Sequence, residues 1–263
     1  MSPSNYLRVG SIAFILAYML ALGASAQPVD AQPAAAQPAQ DQVTLLDPLV
    51  ERGNRIVPSN LSIDSSAFTN AGCSFEGGRL DCSIAGLDQQ FNCSSIYNAS
   101  NDLGGLSPKL PIAECLFQGS DYASSPDEGI VRTGCLIPFY RRYIVRLDGE
   151  FRSISTKEEF ISLFAPVETP QEALSFAVAL TNSFSKYDAS RPQSYFPVVK
   201  YIEPTYVEDE KNGAYKVHLF QSEYCGCGTH PIYAVDYLVT RDGNVTEADR
   251  QKVFDSSNDI CID

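Results

Sequence analysis

From Phe139 onward, the alternation of apolar and polar residues marks out one structural element after another. Tyr143-Ile-Val-Arg-Leu147 and Glu150-Phe-Arg-Ser-Ile154 flank Asp148-Gly149, a pair that supplies the two positive-φ residues of a type I′ turn, so a hairpin is predicted. Two helices should follow. Ser155 with Glu158 and Thr156 with Glu159 both have capping-box spacing ahead of Phe160, Leu163 and Phe164 at i, i+3 and i+4, and Pro166 stops the turn. Thr169-Pro170-Gln171-Glu172 is a second start signal, leading into Ala173–Leu180. Because that run is apolar on nearly every side, it should lie between two layers rather than on a surface.

Strand patterns then return as Thr205–Lys211, Ala214–Ser222, Ile232–Arg241 and Asn244–Phe254, with Asn212-Gly213 and Asp242-Gly243 as turns. Tyr233–Val239 is nearly all apolar, as a central strand would be. The expected class is α+β: an antiparallel sheet, made of the hairpin plus a four-stranded meander, packed on two helices and preceded by a disulfide-rich loop/β segment. The order of helix then meander, ending in Leu238-Val-Thr-Arg-Asp-Gly243-Asn-Val245, resembles the layout of cystatin-like and PepSY-like modules over about residues 169–254. That resemblance implies a helix laid on a curved sheet and carries over no binding residue.

Residues 44–137 read differently. Ser, Asn, Gly and Asp break up short apolar runs, and no helical period lasts three turns, so loops and short strands held by cysteines are expected. Ser74–Asp81 reads as a hairpin about Gly77-Gly78, which places Cys73 opposite Cys82 at a non-hydrogen-bonded position, where Cα atoms come closest and a disulfide fits. The chain thus divides into an export signal (1–26), an Ala/Gln/Pro spacer (27–43), the Cys-rich segment (44–137) and the sheet-and-helix domain (138–263).

The signal is read from Arg8, an apolar run from about Ser11 to Leu22, and Ala24-Ser-Ala26. The alternative is an uncleaved N-terminal anchor, for which the run is short. The spacer repeats Ala-Gln-Pro at 26–28, 31–33 and 36–38, a composition that favours extended conformations and cannot build a core. Export makes the eight cysteines (Cys73, Cys82, Cys93, Cys115, Cys135, Cys225, Cys227, Cys261) candidates for four disulfides. Five precede residue 138 and three follow it, so complete pairing needs at least one bridge between the two segments.

A net charge of −13 argues against nucleic acid and anionic membrane surfaces as partners, beyond an uncleaved anchor. The arginines Arg132, Arg141, Arg142, Arg146 and Arg152 form the one basic concentration, read as neutralising nearby acids or, alternatively, as an anion site.

Reactive candidates concentrate between His218 and His230, the only two histidines. Cys225, Cys227 and His230 form a Cys-x-Cys-x-x-His step that would suit zinc or copper. Against a metal stand the one-residue gap between the cysteines and the export context, which favour disulfides from Cys225 and Cys227 to separate partners, with Cys135 and Cys261 as candidates. Asp236, inside the apolar strand, is the carboxylate best placed for partial burial and hence for acid–base work. No nucleophile elbow, zinc-protease helix or phosphate loop occurs.

The sequence therefore predicts an exported, extracellular or periplasmic, disulfide-stabilised binding protein without enzymatic activity or cofactor. Its sheet face or edge strand would meet a protein or peptide partner. Two alternatives stand beside it: an extracytoplasmic metal-binding protein, and a small secreted hydrolase using Asp236.

Overall fold

The fold is built on two antiparallel sheets, seen in a computed structural model that describes residues 55–119, 129–188, 191–210, 212–256 and 260–262. The expected export signal (1–26) and spacer (27–43) lie outside these residues. The strands are β1 (Arg55–Ile56), β2 (Ser74–Glu76), β3 (Arg79–Asp81), β4 (Ser95–Asn98), β5 (Ile112–Gln118), β6 (Val131–Thr133), β7 (Phe139–Leu147), β8 (Glu150–Ile154), β9 (Tyr195–Pro197), β10 (Tyr206–Glu210), β11 (Ala214–Ser222), β12 (Gly226–Gly228), β13 (Ile232–Thr240), β14 (Val245–Ser256) and β15 (Ile260–Ile262). The α-helices are α1 (Ser66–Asn70), α2 (Leu87–Gln90), α3 (Lys157–Phe164) and α4 (Pro170–Leu180).

The meander forms one sheet in the order β1-β10-β11-β13-β14-β9. Here the observed architecture departs from the expected one. The hairpin β7–β8 does not join the meander over two helices; it belongs to a second sheet, β2-β3-β4-β5-β7-β6, with β8 paired to β7. The reason lies in β7 itself. Tyr143 and Val145 point into one core and Ile144 into another, so both faces of the strand are buried, and β5 from the Cys-rich segment pairs with it along Ile112–Gln118. Local alternation predicts the hairpin, but it does not say which strand will lie along its other edge.

Helix α4 lies where the two sheets share a core. Every residue from Glu172 to Leu180 is buried, and they pack with Val207, Val217, Leu219, Val235, Tyr237 and Val239 of the meander and with Ile112, Tyr143 and Val145 of the second sheet. Both long helices start with the expected reciprocal caps. Glu159 N–H donates to Thr156 Oγ1 at 3.1 Å and Glu172 N–H to Thr169 Oγ1 at 3.2 Å, while each glutamate accepts from the backbone N–H of its threonine. The far end of α4 is closed by Arg141, whose guanidinium donates to the carbonyls of Val178 and Thr181, a cation set at the negative end of the helix dipole. Arg142 instead lies over the Phe117 ring at 3.8 Å and Arg146 over Phe151 at 5.7 Å, so three of the five clustered arginines pack against their own fold.

Four disulfides hold the segments together. Cys73–Cys82 closes the β2–β3 hairpin, whose register pairs Ser74 with Asp81, Phe75 with Leu80 and Glu76 with Arg79. Cys93–Cys115 anchors the turn after α2 to β5, and Cys227–Cys261 pairs β12 with β15. Cys135–Cys225 links the Cys-rich segment to the loop after β11. Among the described residues, no helix is long and apolar enough to cross a membrane.

Candidate functional site

The meander has two faces with different partners. Val217 and Leu219 of β11, with Val235, Tyr237 and Val239 of β13, face α4, so strand alternation sends His218, Phe220, Ala234 and Asp236 to the other side. That outer face is only partly covered. Ile202, with Tyr195 and Val199, packs on Phe220, Ile232, Ala234, Val253 and Phe254, leaving a cavity of about 450 Å³ lined by Tyr201, Ile202, Glu203, His218, Ala234, Gln251 and Val253.

One cross-strand row runs through this face: Tyr206 pairs with His218, His218 with Asp236, and Asp236 with Asp249. His218 Nδ1 lies 2.5 Å from Asp236 Oδ1. A carboxylate only accepts, so Nδ1 carries the proton, and in the neutral ring Nε2 becomes an acceptor. The Tyr206 ring stacks on the imidazole at 4.8 Å and 6° between planes, Phe220 meets it edge-on at 5.6 Å, and the Arg55 guanidinium lies 4.0 Å from the centre of the Tyr206 ring. The imidazole is thus fixed in orientation on both sides.

Its remaining nitrogen is not accounted for. His218 is 8 % exposed, and Nε2 is buried without a hydrogen-bond partner in the protein. A polar atom left so is unfavourable by about 1–3 kcal/mol unless something from outside the fold meets it. The His218 side chain also lines the cavity.

Charges around the row are paired at its rim. Arg55 bonds Glu203 at 2.9 Å, and Lys216 bonds Glu208 at 2.8 Å. The Lys216 hydrogen bond holds the Glu208 carboxyl below its ordinary range, and the same bond raises Lys216. Burial, with the charge of Asp236 added, pushes the Tyr206 phenol well up, so Tyr206 stays neutral beside the imidazole.

The residues first singled out fall elsewhere. Cys225 and Cys227 lie in the disulfides to Cys135 and Cys261, where their sulfurs carry no thiolate to ligate zinc or copper. His230 is buried and its backbone N–H donates to Ser256 Oγ at 2.9 Å. No cluster of three metal-competent side chains is found among the described residues. Asp236 is the sequence candidate that does lie in the cavity's framework, through a partner that residue-by-residue reading missed. The signal was there in the alternation, since His218 and Asp236 each stand between two core-facing apolar residues. Glu203, Tyr206 and Gln251 had no such signal. Family models, curated proteins and solved structures were compared with the chain, and none matches.

Proposed function

We propose that this is an exported, disulfide-stabilised binding protein whose ligand seat is the cavity on the outer face of the meander. The single observation that carries this reading is the cavity lining itself, which sets the His218 ring, held in one orientation by Asp236 and Tyr206, and the Glu203 and Gln251 side chains beside Ile202, Ala234 and Val253. Ligand sites combine an apolar lining with a few fixed polar groups in this way. The four disulfides fit an oxidising, extracellular setting.

The cavity is favoured over the sheet edge as the point of contact. Among the described residues β14 is paired on its outer side only at Phe254–Ser256, which leaves a run from Val245 open to a peptide strand. Yet the β13–β14 register skips Ala248 and Val253, and the open run carries Glu247, Asp249, Arg250 and Lys252. Bulges and charges of this kind blunt an edge against strand addition.

The deciding experiment is replacement of His218 by Asn. The amide N–H can keep the bond to Asp236, while the imidazole ring that lines the cavity is lost. Thermal-shift screening of a small-molecule panel should give stabilising hits for the native protein that vanish in the variant; hits of equal strength in both would refute this seat.

A second reading has its own support. A carboxylate that holds Nδ1 of a cavity-lining histidine is also part of how a general base is arranged for hydrolysis. Turnover of ester or glycoside substrates that is lost in the same variant would favour the enzyme over the binding protein.

A further inference from the structure

Two disulfides meet at the loop that leaves β11, and their near cysteines, Cys225 and Cys227, are separated by one glycine. We infer that Cys225-Gly226-Cys227 is a thiol-exchange switch. When a small thiol opens either bridge, the freed cysteine of the pair attacks its neighbour, and the two close on each other as Cys225–Cys227. One event then unties the Cys-rich segment from the later half and β15 from β12.

Three observations converge on this step. First, the bridges are accessible: Cys225, Cys227 and Cys261 are exposed, whereas Cys73, Cys82 and Cys115 are buried in the hydrophobic cluster around Phe68 and Leu80. Cys225 also lines an open polar cleft of about 350 Å³ with Arg132, Thr133, Ser222 and Tyr224. Second, little holds the ends once a bridge opens. Strands β12 and β15 form a separate ribbon of three residue pairs, and neither Cys227 nor Cys261 belongs to a hydrophobic cluster among the described residues. Third, the neighbours come within reach of each other. Two extended steps put Cα atoms about 6.6–7.2 Å apart, at the outer edge of the roughly 4.4–6.8 Å that a disulfide spans, so the chain between them must bend. Gly226 already stands at φ +89°, with nothing within 4 Å of where a Cβ would lie.

The bonds balance. A thiolate attacks Sγ of Cys261, and the electron pair of the broken S–S bond leaves on Cys227. The Cys227 thiolate attacks Sγ of Cys225, forming Cys225–Cys227 and expelling the Cys135 thiolate. A second small thiolate then displaces Cys261 from the mixed disulfide. Two protein disulfides become one disulfide and two thiols, and two molecules of small thiol are oxidised to their disulfide. Attack first at Cys135 reaches the same product in the reverse order.

The test treats the full oxidised chain with glutathione, traps thiols by alkylation and maps peptides without reduction. With about two molar equivalents, Cys135 and Cys261 should alkylate while a peptide with an internal Cys225–Cys227 bond appears. Cys225 and Cys227 should follow only with further thiol, still ahead of Cys73, Cys82 and Cys115. A neighbour on so short a tether acts at about 1 mM, so at about 0.1 mM glutathione the bridged form should exceed forms with both Cys225 and Cys227 alkylated by roughly tenfold. Gly226→Ala leaves every sulfur in place but resists the positive φ, and should lower that ratio. In Cys227→Ser/Cys261→Ser, which lacks the neighbour, Cys135 and Cys225 should alkylate in equal amounts. If Cys225 and Cys227 alkylate in step with Cys135 and Cys261 in the native chain at every dose, and no Cys225–Cys227 peptide forms, the bridges open independently and the switch is overturned.

Discussion

Cys135 is bonded to Cys225, 90 residues further on, and this bridge ties the loop beside β6 and β7 to the loop that leaves β11. It is the one disulfide among the described residues that joins the Cys-rich segment to the later half, whereas Cys73–Cys82 and Cys93–Cys115 each lie within the first. A cross-link over so long a loop removes much conformational freedom from the unfolded chain. The double replacement Cys135→Ser/Cys225→Ser should therefore lower the unfolding free energy by about 3–4 kcal/mol, read from urea denaturation.

Exposure should set the order in which the bridges open. Cys225, Cys227 and Cys261 are exposed, while Cys73, Cys82 and Cys115 are 5 %, 2 % and 0 % exposed. Under limiting thiol reductant, alkylation followed by mass mapping should label Cys135, Cys225, Cys227 and Cys261 first, since exchange needs access to sulfur. Early labelling of Cys73 or Cys82 would show that the hairpin opens before the loop does.

Backbone packing behind the site gives a third expectation. A Cβ on Gly105 would lie 2.1 Å from the Gln171 carbonyl oxygen and 2.4 Å from Ser175 Oγ, so the 3₁₀ turn at Asn101–Gly105 sits directly against α4. Backbone on both sides cannot give way cheaply. Gly105→Ala should lower stability by about 3–5 kcal/mol, the range of severe core disruptions. Gly213 is the control: its φ is +80° with nothing within 4 Å of a Cβ, so Gly213→Ala should show only the left-handed backbone penalty of about 1–2 kcal/mol.

How much of this could be read in the sequence depends on the range of the interaction. Both capping boxes, the Asp148-Gly149 turn and the Cys73–Cys82 pairing depend on residues within ten positions of each other, and local rules reach that far. Parity required a bridge between the segments, and the separate partners expected for Cys225 and Cys227 are those observed. The pairing of β5 with β7 was not legible, because two buried strands carry no mark of who their neighbour is. The site was half legible. Alternation put His218 and Asp236 on the face away from the helix, but the connection from Ser222 to Ile232 is too long and irregular to fix a register. The row Tyr206–His218–Asp236–Asp249 follows only once that register is known.

Glu114 should give the protein a measurable pH dependence. It lies opposite Tyr143 on β7, and burial raises its pKa, with the Arg141 charge and a backbone hydrogen bond at Ser100 opposing this only in part. Its value in the folded state therefore stands above the ordinary 4.5 of the unfolded chain. The folded state binds the proton more tightly, so this contribution to stability is fully present below the unfolded value and is lost as pH rises through the folded one. In Glu114→Gln the dependence disappears. Urea midpoints taken between about pH 4 and pH 7 should show the variant gaining on the native protein as pH rises. A constant difference across that window would mean that Glu114 does not titrate there.

Asp236 is placed to decide which nitrogen of His218 carries the proton. Its carboxylate can only accept, and that alone fixes the proton on Nδ1; an amide at the same position offers either an oxygen or an N–H and removes the bias. Asp236→Asn should thus let the Nε2–H tautomer appear, visible in the imidazole nitrogen and Cδ2 shifts. Stability should fall by about 1.5–3 kcal/mol from the lost charge-assisted bond, less a few tenths regained because Asp249, directly opposite, no longer faces a like charge. Asp249→Asn separates the two effects: it removes the repulsion, leaves the tautomer alone, and should raise stability by about 0.2–1 kcal/mol. A ring that keeps Nδ1 fully protonated in Asp236→Asn would show that the carboxylate is not needed to set the tautomer.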